Sequence, residues 1–307
     1  MTWLVTGASG LLGATAVLKL NEAGERVVGV SRSALPDVPT EHRVADLSRV
    51  EERRGIVASS DARVVLHAAA VATIEACERD PVAARELNVQ APADLAAQAA
   101  QEGARFIHIS TDAVFDGDRG GYGEADAPRP TGVYGRTKLD GERAVMDANS
   151  DALVARVNFY GWSPTGRRSL IEFFARSLSR GSVVNGFTDV RVSTLYAGDL
   201  VAALRVAEAS GVSGVLHIAA RDSTTKFEFG RATARRFGWD ASLVRPALSS
   251  DVLEHARGRD LSLDVDRYLH RVGPLPMQEE SLQAAFNDYS RGLADRVAAF
   301  SPEGRAR

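Results

Sequence analysis

The chain has 307 residues, 45% hydrophobic and 25% charged, with 37 Lys+Arg against 40 Asp+Glu and a formal net charge of −3. That is an ordinary globular composition, enough for one large α/β domain with or without a smaller attachment. The dispersed basic residues argue against a nucleic-acid surface, no stretch approaches the ~20 apolar residues that span a bilayer, and the lone Cys77 excludes an internal disulfide and a thiolate zinc cluster. The N-terminus, MTWLVTGASG, lacks a basic segment followed by an apolar core, so the cytoplasm is the expected location; no carboxylate cluster demands a metal.

Residues 3–6, WLVT, read as a short apolar strand, followed at once by Gly7-Ala-Ser9-Gly10-Leu11-Leu12-Gly13 and a helix running to about Asn21, with Gly24 placed as its C-cap. In such a loop the first glycine permits the tight turn, the second lets the backbone approach a pyrophosphate, and the third lets helix and strand pack closely. The G-x-x-G-x-x-G spacing resembles the fingerprint of the extended short-chain dehydrogenase/reductase superfamily. The second strand, Arg26–Val30, ends in Ser31-Arg32-Ser33 with no acid for a ribose 2′-hydroxyl, whereas Arg32 suits a 2′-phosphate. NADP(H) is therefore the expected cofactor and NAD(H) the alternative; the bland reading of Arg32 is a surface loop residue.

The superfamily resemblance implies that Asp46, with Leu47, reaches the adenine; Asp46 equally suits an N-cap for a helix beginning near Ser48. The strand Arg63–Leu66 runs into His67-Ala68-Ala69-Ala70, similar to the small-residue turn beside the nicotinamide ribose, with His67 read as a packing residue. Residues 71–102 read as two helical segments, in which Asn88 resembles the asparagine that supports the lysine of the site. An apolar run, Phe106–Ile109, then ends at Ser110-Thr111, and Tyr134-Gly-Arg-Thr-Lys138 opens the next helix. At i and i+4, Tyr134 and Lys138 share one helix face. A phenol with a pKa near ~10 is a poor proton carrier at neutral pH, but an ammonium beside it favours ionisation, and Thr111 can hydrogen-bond the oxygen that the phenol serves.

Leu153–Asn158 is a further strand, followed by Phe159-Tyr-Gly161-Trp162 and a helix ending at Gly181. The alternation of strand and helix predicts a Rossmann-type α/β fold, a doubly wound parallel sheet, over residues 1–158. Residues 159–300, with short strands at Val183-Val184 and Val215–Ile218 and helices at Lys226–Phe237 and Glu279–Phe300, read as a smaller C-terminal α/β substrate-binding lobe. A segment near 195–220 is expected to return to the sheet, and residues 301–307 are expected to be a disordered tail.

Several motifs occur in order: Gly7-x-x-Gly10-x-x-Gly13, Ser110-Thr111-Asp112-x-Val114-Phe-Asp-Gly117, Tyr122-x-Glu124-x-Asp126-x-Pro128, Tyr134-Gly-x-x-Lys138 and Gly141-Glu142. Asp189-x-Arg191-x-Ser193-Thr194 and Arg257-Gly-Arg259-Asp260-Leu-Ser-Leu-Asp264 follow them. Together they resemble the dTDP-4-dehydrorhamnose reductase family over nearly the whole chain. The resemblance implies NADPH-dependent reduction of a keto group on a nucleotide-activated deoxysugar. Tyr134 would give the proton, Lys138 would bind the nicotinamide ribose and lower the Tyr134 pKa, and Thr111 would orient the carbonyl. Asp112, Val114, Asn158 and Phe159 would line the sugar site, and Arg191 and Arg259 would bind the diphosphate, unless they are surface or interdomain ion pairs.

Nucleotide-sugar 4,6-dehydratases place Asp-Glu after the strand-end hydroxyl; Ala113 stands in place of that acid and cannot act as a base. The segment Arg156-Val-Asn158-Phe159-Tyr160-Gly161-Trp162 is one residue shorter than in many rhamnose enzymes, and Arg259-Asp260 replaces Arg-Pro, so the sugar stays open. A 4-epimerase, a natural-product ketoreductase and a non-catalytic cofactor-binding regulatory subunit are the alternatives, and a homodimer is compatible with the superfamily.

Overall fold

The computed structural model describes residues 1–35, 38, 40–251 and 258–301; Arg257 and residues 302–307 of the expected tail lie outside them. Seven strands form the central sheet: β1 (Thr2–Thr6), β2 (Arg26–Ser31), β3 (Glu41–Val44), β4 (Val64–His67), β5 (Arg105–Thr111), β6 (Leu153–Val157) and β7 (Gly214–Ile218). Their order is β7-β6-β5-β4-β1-β2-β3, and every pairing is parallel. The fold class is thus the expected doubly wound Rossmann type.

Both faces are covered, as an all-parallel sheet requires. Because side chains alternate along a strand, Trp3 and Val5, Val64 and Leu66, and Ile107 and Ile109 enter one core with Leu12, Ala16, Leu200 and Leu204. Leu4, Val65, Phe106 and Val154 face the other, with Leu95, Ala99 and Val145. The first core holds α1 (Leu11–Glu22) and α5 (Ala197–Ala209); the second holds α2 (Ala91–Gln101) and α3 (Val133–Ala148). The order reverses at β1, between β2 and β4, and there the loops after β1 and β4 open side by side, the usual place for a nucleotide.

Away from the sheet, α4 (Leu170–Leu178) and α6 (Lys226–Arg236) pack with two short strands, Val184–Phe187 and Val244–Ala247, which pair in parallel. Ser169 and Thr225 start these two helices with capping boxes to Glu172 and Glu228. The region from Glu279 onward is two helices, α7 (Gln278–Ser290) and Leu293–Ala298, broken by Gly292 in the left-handed conformation (φ 77°). Among the described residues no helix is long and apolar enough to cross a membrane.

Candidate active site

The glycine turn is built by close approach. Gly7 has φ +69°, and a Cβ on Gly13 would stand 2.1 Å from the Gly7 carbonyl oxygen, so α1 can lie against the strand end only if residue 13 has no side chain. Gly10 is the N-cap of α1, with no side-chain cap and no acidic residue in the first turn. The Gly10 N–H closes the turn onto the Gly7 carbonyl (2.8 Å), and the first-turn N–H groups of Leu11 and Leu12, just beyond Ser9 and Gly10, keep their affinity for an anion. Across the turn, a Cβ on Gly7 would meet the backbone of Ala69 at 2.9 Å, so Ala68, Ala69 and Ala70 form the facing wall.

Arg32 is exposed just beyond β2, and its charge helps hold the Asp46 carboxylate below its usual range, after the larger effect of a hydrogen bond from Ser48. Asp46 accepts from the Ser48 amide (3.0 Å) and hydroxyl (2.7 Å), so it shapes the turn before the short helix Val50–Arg53; Leu47 beside it is buried.

Asn88 lies in a π-helical turn, Glu86–Gln90, that the sequence pattern did not signal. Its amide accepts from the Val71 N–H (2.9 Å) and donates to the Val71 carbonyl (3.1 Å) and to Thr137 Oγ1 (3.1 Å). One buried side chain thereby ties the loop of small residues at 68–71 to α3. The π turn lies so close to α3 that a Cβ on Gly141 would sit 2.1 Å from the Asn88 carbonyl oxygen.

Thr111 and Asp112 close β5. The Thr111 hydroxyl donates to Asp112 Oδ1 (3.0 Å), and Asn158, at the end of β6, donates to Asp112 Oδ2 (2.6 Å). Burial pushes the Asp112 carboxyl up to about 6, against the opposing effect of hydrogen bonds from Asn158 and Thr111 and the charge of Lys226. Tyr134, in the first turn of α3, is pushed up to about 12 by burial, with the Asp112 charge adding to the rise and a hydrogen bond with Thr111 opposing it.

Lys138 is buried, and its ammonium donates to the Ile109 carbonyl (2.7 Å), with His108 Nε2 at 3.3 Å. Burial lowers its pKa to about 8. The fall expected of the Tyr134 pKa under the influence of Lys138 is replaced here by a rise: desolvation dominates the phenol, and the ammonium is engaged with the end of β5. His67 packs as expected, stacked on His108 at 5.6 Å, with burial pulling its pKa down to about 3.

Thr111, Asp112, Tyr134, Asn158 and Phe159 line a cleft of about 690 Å³, whereas Lys138 and His67 are buried and do not line it. Val114 is fully buried beneath them and does not line it. Neither Arg191 nor Arg259 lines the cleft. Arg191 donates to Ser223 through Nη1 (carbonyl at 2.9 Å) and pairs with Glu228 at 3.8 Å, while the Arg259 side chain is exposed. Three charged lining residues, Glu75, Glu78 and Lys226, were not singled out from the sequence. Glu78 accepts from the Val133 N–H at 2.8 Å and so caps the helix that carries Tyr134. Lys226 is the first residue of α6, a position that the Thr225-x-x-Glu228 capping box could have signalled.

The probable low-salt glycan biosynthesis reductase Agl14 of Haloferax volcanii is 36% identical over 295 residues, covering 93% of this chain and 98% of that protein. A probable dTDP-4,6-dihydroxy-2-methyloxan-3-one 4-ketoreductase of Streptomyces antibioticus is 32% identical, covering 94% and 95%. Methionine adenosyltransferase 2 subunit beta of Pongo abelii is 33% identical, covering 86% and 80%. Among solved structures, the dTDP-4-dehydrorhamnose reductase of Bacillus anthracis in complex with NADP superposes with a TM-score of 0.83 at 22% identity, over 94% of this chain and 99% of that one, which matches the fold. The family model described as the RmlD substrate binding domain matches residues 1–291, and the chain belongs to that family.

Proposed function

We propose that the protein is an NADP(H)-dependent reductase of a keto group on a nucleotide-activated deoxysugar, a 4-keto-6-deoxyhexose being the favoured substrate. The observation that carries this reading is the meeting of Thr111, Tyr134 and Asp112 on the wall of one cleft. Two of the relatives, named as reductases, support it.

The residues present fit the dinucleotide. The first turn of α1 offers unpaired N–H groups to the pyrophosphate, Arg32 suits the 2′-phosphate, Asp46 and Leu47 flank the adenine side, and Ala68–Ala70 admit the nicotinamide ribose that Lys138 would hold. When bound, NADPH supplies the hydride for the keto carbon. Tyr134, with its pKa at about 12, keeps its proton at neutral pH and gives it to the keto oxygen, while the Thr111 hydroxyl orients that oxygen. Lys138 fixes the end of β5 through the Ile109 carbonyl, and Asp112 and Asn158 shape the sugar side.

A second reading, a cofactor-binding subunit without turnover, is favoured by the relative named as subunit beta of an adenosyltransferase. Oxidation of NADPH, and separately of NADH, with dTDP-4-keto-6-deoxyglucose separates the two, run with and without a 3,5-epimerase. Loss of reduced cofactor with a new deoxysugar supports the reductase. Cofactor binding without turnover supports the subunit.

A further inference from the structure

Alternate residues of a strand share one face, so Phe106, His108 and Ser110 of β5 look toward α3, where Phe106 shares a core with Val145. The two polar members each meet that helix. The Ser110 hydroxyl donates to Glu142, and one turn earlier the Lys138 ammonium donates to His108 Nε2 at 3.3 Å and to the Ile109 carbonyl at 2.7 Å. We infer that His108 is a positioning residue for Lys138: its Nε2 receives the ammonium from the sheet side, holding it in place at the cofactor site and keeping it charged. This rests on the reading of Lys138 above as the group that holds the nicotinamide ribose.

The imidazole has little room to move. His108 is fully buried and stacks on His67, its neighbour across the β4–β5 pairing, at 5.6 Å with the planes 15° apart. His67 Nδ1 in turn lies 2.9 Å from Thr6 Oγ1, the same hydroxyl that accepts from the Ala69 N–H at 3.3 Å. The two rings therefore join the end of β1 and the small-residue wall of the glycine turn to the ammonium. Burial pulls both imidazoles far below their usual range, with the Lys138 charge adding to the fall, so both are neutral at pH 7. An ammonium has no lone pair, so Nε2 must accept and the ring proton lies on Nδ1, which is buried with no hydrogen-bond partner among the described residues. Such an unpaired N–H is costly, and the charge-assisted bond on the other side of the ring offsets it. Lys138 itself is balanced. Burial lowers it to about 8, against the opposing effects of Glu142 on its own helix and Cys77 on the short helix Ile74–Arg79, while Tyr134 stands one turn before it and His67 lies behind His108. For a group so close to losing its proton, one acceptor decides the charge.

The test reads the charge of Lys138 in the full chain without turnover. The NADPH dissociation constant of wild type, His108→Phe and His108→Gln is measured by fluorescence from about pH 6.5 to about pH 9.5. Phe keeps a ring to stack on His67 and removes the acceptor, whereas Gln offers an amide oxygen at similar reach. In wild type, binding weakens as the ammonium loses its proton, with a midpoint near 8. Loss of one hydrogen bond to a charged group moves that midpoint down by about one pH unit in H108F, and H108Q restores it. A merely structural role would weaken binding by the same factor at every pH. A second measurement needs no variant to fold: NMR of wild type with isotope-labelled histidine nitrogens finds the His108 proton on Nδ1 at neutral pH, and the ring responds as Lys138 titrates. A wild-type affinity indifferent to pH, an unmoved midpoint in H108F, uniform weakening across the range, or a neutral-pH proton on Nε2 would overturn the assignment. Because no sugar is present in either measurement, a chain that binds NADPH with this pH dependence and yet reduces nothing defeats the reductase reading and leaves this one standing.

Discussion

Asn158 donates its side-chain amide to the buried carboxyl of Asp112 across 2.6 Å, joining the ends of two adjacent parallel strands. The carboxyl lies at about 6 in the folded chain, above its ordinary 3.8, so between those values the native state holds a proton that the unfolded state has released. Stability from this group is present below pH 4 and is lost as pH rises through 6. Asp112→Asn removes the titration. Denaturation at pH 4 and pH 7 should show the variant gaining on wild type by up to about 3 kcal/mol across that interval. A constant difference between variant and wild type would place the carboxyl near its ordinary value.

Tyr134→Phe keeps the ring and loses the proton. Turnover should fall about 10²- to 10⁴-fold, with NADPH affinity within a factor of two or so of wild type. Stopped-flow oxidation of bound NADPH checks it; survival of the rate would move the proton transfer to another group.

Asn88→Ala removes three hydrogen bonds that hold Val71 and Thr137 together. Leaving those buried partners unpaired should cost about 2–3 kcal/mol of stability and weaken NADPH binding through the loosened loop at 68–71. Chemical denaturation and fluorescence titration read the two effects separately.

Arg32→Ala should lower the preference for NADPH over NADH about tenfold, by loss of one charged contact to the 2′-phosphate. The ratio of kcat/KM for the two coenzymes is the readout, and an unchanged ratio would return Arg32 to the solvent-exposed loop.

Much of this fold is legible from residues. Short apolar runs mark β1, β4 and β5, the first and last ending in glycine or hydroxyl residues and the second in His67 and three alanines, because strands buried on both faces cannot alternate with polar positions. Tyr134 and Lys138 are legible as a pair because an i, i+4 spacing fixes their common helix face. The directions of their interactions are not. Whether the Lys138 ammonium turns to the phenol or to the Ile109 carbonyl depends on how deeply the strand end is buried, which no spacing encodes. The π turn at Glu86–Gln90 is likewise silent, since one extra residue in a helix leaves the apolar pattern nearly unchanged. Arg191 looked like a phosphate ligand by residue type alone; its partners Ser223 and Glu228 are distant in the chain and meet it only after folding.

The parallel seat of β7 beside β6 has a consequence for the order in which the chain can mature. As the polypeptide leaves the ribosome, β6 emerges with one flank unpaired, and residues 158–213 must follow before β7 can cover it. An apolar strand left open in this way invites pairing with another nascent chain. A truncation made after residue 158 would make that interval permanent, so the N-terminal segment expressed alone should collect in inclusion bodies, whereas one extended through Ile218 should remain dispersed.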